Sequence, residues 1–302
     1  MRDVVGKIAV YVEIFGLLLN LVTLKLILRQ GLNSPDMYLA LLLALSDVCL
    51  VASKLGLYAY YQGTGDMGIF DNVWFGQLDG LFMCLFISTS VLCIGYLALL
   101  RCWAIFLRRK INTKAWIHMF FVQQGILFCF LLANAFNQDF TLSPFKRFFY
   151  PNLESKGHIP RLCMFLFVTW TVFSATAVNV AYPAICHSYL TSIDLATTFL
   201  DWHPRATLRS NHLKKITVVL RICSLMLIYD LVMLPSLFIL SKELIQNHIR
   251  SITEDCILTI SLLFLVLVNP LTLICLHQDI LNDVKSLLFS LAGNNQPHSL
   301  PN

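Results

Sequence analysis

Seven apolar runs, each long enough to cross the hydrocarbon core of a bilayer, dominate this sequence. A spanning helix needs roughly 20 mostly apolar residues. Such runs fall at about Val4 to Leu28, Met37 to Tyr61, Leu78 to Ile105, Ala115 to Phe136, Leu162 to Leu190, Ile216 to Leu240 and Ile257 to Leu276. Lipid cannot satisfy an open sheet edge, so these runs are read as helices. The expected fold is an all-α membrane protein, a seven-transmembrane helix bundle over residues 1–290 with a short tail at 291–302.

Composition agrees. Apolar residues make up 57% of the chain and charged residues 13%, where a water-soluble domain carries roughly 25% charged. The net charge of +5 is spread over short clusters. No long basic tract with interleaved aromatics is present, so no nucleic-acid partner is expected. Most of the ten cysteines sit inside apolar runs, among them Cys49, Cys84, Cys93, Cys129, Cys186 and Cys223, with no CxxC pair. They read as small apolar residues rather than metal or redox groups. The first run is too long for a cleavable leader and is read as a true span.

Orientation follows the basic residues. Arg108, Arg109, Lys110 and Lys114 fill one connection, and Arg205, Arg209, Lys214 and Lys215 another, while the turn before the third run carries Asp66, Asp71 and Asp79. Positive loops stay cytoplasmic, which predicts an outside N-terminus. After the seventh run, Ile280, Leu281, Val284, Leu287, Leu288 and Leu291 keep helical spacing. Residues 279–290 therefore read as a short amphipathic cytoplasmic helix on the membrane surface.

Polar groups inside spans are costly, and each needs a reason. The first run holds Gly16-Leu17-Leu18-Leu19-Asn20-Leu21-Val22, the second Leu43-Ala44-Leu45-Ser46-Asp47-Val48, and the third ends Ala98-Leu99-Leu100-Arg101-Cys102-Trp103-Ala104-Ile105. The sixth places Tyr229 six residues before Pro235, and the seventh holds Asn269-Pro270-Leu271-Thr272-Leu273. Together and in this order, the five elements resemble those of class A (rhodopsin-like) G-protein-coupled receptors, of which this chain would be a divergent member.

The resemblance implies roles. Asp47, Ser90, Asn269 and Asn20 would form a sodium and water pocket; the alternative is a protonated Asp47 hydrogen-bonded to Asn20. Arg101 would reach the C-terminal helix of a heterotrimeric G protein, or else snorkel at the membrane boundary. Tyr229, Pro235, Asn269 and Pro270 would belong to the switch that swings helix six outward. A receptor in the cell membrane for a small-molecule signal follows, in contact with membrane lipid, with no enzymatic chemistry and no retinal, since helix seven lacks a lysine.

Departures from the family pattern are several. Leu100 replaces the acidic neighbour of the arginine, and Lys215 stands near an often acidic latch position, so the inactive-state salt bridge is expected to be missing. Leu273 and Met233 replace a tyrosine and a tryptophan. Gly76 stands where a disulfide cysteine usually sits, leaving Cys163 without an evident partner. Met83 replaces the aspartate that binds amines, which argues against a biogenic amine ligand.

Helical depth suggests one further pair. Glu13 precedes Asn20 by seven residues and Lys54 follows Asp47 by seven, about two turns in each case. If Asn20 and Asp47 share a depth in antiparallel helices, Glu13 and Lys54 meet nearer the outside. They would brace the two helices or present Lys54, with Tyr58 and Tyr61, to an anionic ligand. By family position, Met83, Ile87, Ser236, Leu240, Thr259 and Leu263 would line a mainly apolar ligand pocket. Asp230 is placed near the water network of Asp47, without a partner. Other readings are a receptor-like protein that no longer couples, a seven-helix transporter and a membrane enzyme. No internal repeat supports the transporter, and dispersed histidines speak against the enzyme.

Overall fold

A computed structural model of the chain describes residues 2–32, 34–64, 72–107, 113–144, 148–155, 157–199, 205–246 and 248–276. It contains seven long helices: α1 (Arg2–Gln30), α2 (Pro35–Thr64), α3 (Val73–Leu107), α4 (Thr113–Phe136), α5 (His158–Phe199), α6 (Arg205–Gln246) and α7 (Ile252–Leu276). All seven are long and apolar enough to cross a membrane, and the chain is a multi-pass membrane protein by that criterion. Between α4 and α5 lies an antiparallel hairpin, β1 (Phe140–Leu142) and β2 (Phe149–Pro151), with Thr141 opposite Tyr150. The expected surface helix at 279–290 and the tail lie outside the described residues.

The helices extend past the apolar runs. α3 begins at Val73 rather than Leu78, and α6 runs from Arg205 to Gln246 rather than from Ile216 to Leu240. α5 continues to Phe199, so most of the stretch 194–215 read as loop is helical. Polar residues at a helix end emerge into the interface, where water satisfies them, and a hydropathy window stops short of them.

Local chemistry sets three of the boundaries. α1 ends at Gly31, whose φ of 83° suits glycine, with its N–H bonded to Ile27 O at 3.1 Å. Ser34 then caps α2, accepting from Met37 N, and Pro35 takes the first helical position. α7 opens with a capping box: Glu254 N donates to Ser251 Oγ and Ser251 N to Glu254 Oε2.

α3 is the central helix, packed against α2, α4, α5 and α7, and α1 closes the ring against α7. Small residues permit the close approaches. A Cβ on Gly95 would stand 2.9 Å from Ser174 Cα of α5, and one on Gly16 would stand 2.9 Å from Val266 Cγ1 of α7. Ser174 bonds across helices to Val91 O, Ser88 lies between Leu85 O of its own helix at 2.9 Å and Gln124 Oε1 of α4 at 3.3 Å, and Ser46, Ser53 and Thr89 bond within their own helices.

Candidate functional site

Three polar centres lie along the bundle: a core cluster around Asp47, an arginine at one end, and a cavity under the hairpin at the other. At the core, Asn269 Nδ2 of α7 donates to Asp47 Oδ2 at 2.8 Å and to Ser90 Oγ at 2.7 Å. α2, α3 and α7 are thus joined by one buried amide. Asn20 directs its own amide to the carbonyls of Gly16 and Val266, at 2.9 and 3.0 Å, and so ties α1 to α7. Asp47 Oδ1, Asn20 Oδ1 and Asn269 Oδ1 are all buried with no donor. Buried polar atoms are seldom left so. Asp47 and Asn269 are joined by a hydrogen bond, so their two open oxygens belong to one cluster and suit a monovalent cation or water.

Arg101 sits near the end of α3. Its Nε lies 3.6 Å from Asp36 Oδ2 in the first turn of α2, and its Nη1 donates to the Tyr182 hydroxyl of α5 at 3.3 Å. Leu100 offers no carboxylate, but Asp36 supplies one from another helix. Tyr229 is buried and 3.1 Å from Ser174 Oγ. Ser174 spends its one proton on Val91 O at 2.6 Å, so the Tyr229 hydroxyl is the donor. This chain links α6, α5 and α3. Pro235 and Pro270 lie inside α6 and α7. Asp230 does not face the core network: it accepts from Asn179 at 2.8 Å, on the exposed side of α5 and α6.

The hairpin covers the opposite end. Gln77 of α3 both donates to Phe140 O and accepts from Phe140 N. Gly76 and Gly80, one turn apart, make room for the Phe149 and Phe140 rings: a Cβ on Gly76 would stand 2.5 Å from Phe149 Cε1, and one on Gly80 would overlap Phe140. Cys163 is buried and forms no disulfide. Ring packing and a paired amide thus secure the hairpin to α3. Gly80→Ala is expected to cost roughly 1–3 kcal/mol by overpacking. Gly125→Ala, where a new Cβ meets nothing within 4 Å, is expected to be neutral; thermal unfolding compares the two.

Arg250, between α6 and α7, completes this end. Its Nη2 donates to Glu243 Oε2 at 2.7 Å, its Nε to Glu243 Oε1, and its Nη1 to Asp255 Oδ1 at 2.9 Å. All three residues are buried, and the guanidinium lies 4.5 Å from the centre of the Tyr150 ring. Burial opposes the charge, but the Glu243 and Asp255 carboxylates outweigh it and hold Arg250 above its ordinary range. Burial also pushes the Tyr150 phenol up.

Two adjoining cavities lie below. One, with about 530 Å³ of empty space including its mouth, is bounded by Met83, Ile87, Leu240, Phe149, Cys163 and Arg250, among others. The other, about 420 Å³ on the same measure, is bounded by Glu13, Lys54, Met83, Ile87, Thr259 and Leu263, among others. Tyr58 and Ser236 border neither. Ser236 is buried with its Oγ unbonded. Glu13 and Lys54 share the second cavity, as their depths suggest, but Lys54 Nζ donates to both oxygens of Asp79 at 2.8 Å. The ammonium is thereby held by a carboxylate of α3 while still bordering the cavity.

Sequence reasoning missed Asp36, Gln77, Asp79 and the Arg250 cluster. The capping pattern Ser251-Ile252-Thr253-Glu254 was the available signal for the last, since it starts α7 just after Arg250. No family model matches this chain, and no curated protein matches it.

Proposed function

We propose that the chain is a class A receptor that passes a small-molecule signal from the hairpin end of the bundle to a heterotrimeric G protein at the Arg101 end. In this reading the hairpin end and the N-terminus face outward, the protein resides in the cell membrane, and α6 swings outward on activation. The observation that carries it is the Asn269 amide bonded to both Asp47 and Ser90. An amide, a carboxylate and a hydroxyl buried from three spans cost free energy unless they are bonded. Their position between a cavity and an arginine suits a coupling element.

A sodium ion at Asp47 fits this reading, because Asp47 Oδ1 and Asn269 Oδ1 both lack donors. When bound, it supplies positive charge beside the Asp47 carboxylate. Replacing sodium with choline is expected to lower the Tm of the wild type and to leave that of Asp47→Asn unchanged.

The function itself is tested by ligand-free nucleotide exchange on a panel of G proteins in membranes carrying the chain. Exchange that disappears with Arg101→Ala supports coupling. Exchange that Arg101→Ala leaves intact contradicts it.

A further inference from the structure

We propose that the larger cavity at the hairpin end binds an uncharged aromatic molecule, its ring held among the sulfur-bearing side chains of α3 and α5. The proposal rests on the receptor reading in one respect, that this cavity is the ligand site, and it names the class of ligand.

Charge is the first discriminator. Among the described residues bordering this cavity, Arg250 is the one that carries a charge. Its Nε and Nη2 donate to Glu243, its Nη1 donates to Asp255, and its guanidinium lies over the Tyr150 ring. A guanidinium so engaged has its charge answered within the protein. An incoming anion would have to displace a buried carboxylate from it. None of the described residues bordering the cavity is an acid, so an ammonium placed there would sit in a low-dielectric space with no carboxylate at the wall. Glu13 and Lys54 border the smaller cavity and not this one. A charged ligand therefore loses its hydration without gaining a partner, whereas a neutral one gains by leaving water.

The wall decides between aromatic and aliphatic bodies. Four sulfur-bearing side chains border the cavity: Met83 and Cys84 from α3, and Cys163 and Met164 from α5. Both cysteines are free thiols. Phe149 and Tyr150 of β2 and Phe167 of α5 border the cavity too. Sulfur is polarisable and favours the edge of an aromatic ring, and unbranched methionine adapts to the outline of what it packs on. Aromatic rings pair edge to face, because the face is negative and the edge positive. A saturated ring of the same size buries as much apolar surface but offers neither contact. The empty space, about 530 Å³ including the mouth, has room for one such ring and its substituent.

Four probes built on one chain length separate the alternatives: 4-phenylbutanol, 4-cyclohexylbutanol, 4-phenylbutylamine and 4-phenylbutanoate. Thermal unfolding of the purified full chain in lipid nanodiscs is measured with each. The phenyl alcohol is expected to raise the Tm by several degrees, and the amine and the acid by much less. The cyclohexyl alcohol is the more hydrophobic of the two alcohols, so burial alone would favour it; the proposal expects it to protect less. Cys84→Phe, which puts a ring of the protein's own at the cavity wall, is expected to abolish the shift. Should that variant fail to fold, Met83→Leu combined with Met164→Leu, which nearly conserves volume, must bring the two alcohols to the same shift. No shift with the phenyl alcohol, equal protection by any of the other three probes, or a shift that survives in Cys84→Phe would overturn the proposal. The expected pattern of protection with nucleotide exchange at background would keep this inference and remove the receptor reading. Exchange that depends on Arg101, without that pattern, would do the reverse.

Discussion

Arg250→Ala is expected to destabilise the chain by about 3–5 kcal/mol, the cost of leaving buried charge without its partner. The side chain donates to Glu243 and to Asp255, and both acids are buried. Removing it strands two carboxylates at the junction of α6 and α7 and takes the cation from the Tyr150 ring, 4.5 Å away. The hairpin loses a support on the same change. Thermal unfolding in detergent reads the loss as a lower Tm and poor recovery of folded protein. A second variant separates charge from shape. With Arg250→Met, Glu243→Gln and Asp255→Asn combined, no charge is stranded, and most of the stability is expected to return. If Arg250→Ala unfolds at the wild-type temperature, the cluster does not hold this end together.

Asp36→Asn is expected to raise ligand-free nucleotide exchange roughly two- to fivefold. In the receptor reading proposed above, Arg101 must leave its partners within the chain before it engages a G protein. Asp36 is the acidic one, 3.6 Å away and partly solvent-exposed. A pair so placed contributes about 0.5–1 kcal/mol, which converts to that change in an equilibrium at 1.4 kcal/mol per tenfold. Tyr182 keeps its neutral hydrogen bond to Arg101 in the variant, so the arginine stays near its position while its ionic restraint is gone. Exchange measured in membranes at equal density of the chain checks the value. Added salt should mimic part of the effect in the wild type, because a partly exposed pair is screened.

What the sequence revealed, and what it hid, follows from how each feature is encoded. The seven spans were legible because lipid demands an unbroken apolar run of fixed length. Helix ends were not, because residues such as those at 205–215 and 241–246 are polar and add nothing to that run. A span begun at Leu78 puts Asp79 at its mouth beside the turn, whereas a helix from Val73 carries it inside the bundle beside Lys54. Glu13 and Lys54 were readable as neighbours from depth alone, since two helices packed antiparallel fix relative height. Asp36 was hidden by distance along the chain: it sits one residue after a helix-opening proline and 65 residues before Arg101. Nothing local marks such a pair. Gly76 looked like a lost disulfide, and it is a seat for the Phe149 ring. Composition cannot show what fills the space that a missing side chain leaves.

The coupling claim is tested most directly by one comparison: ligand-free nucleotide exchange in membranes carrying the wild type, Asp36→Asn or Arg101→Ala at matched density. The predicted order is Asp36→Asn highest, wild type intermediate and Arg101→Ala at background. Exchange at background in all three, or exchange indifferent to both substitutions, would contradict a receptor that couples through Arg101.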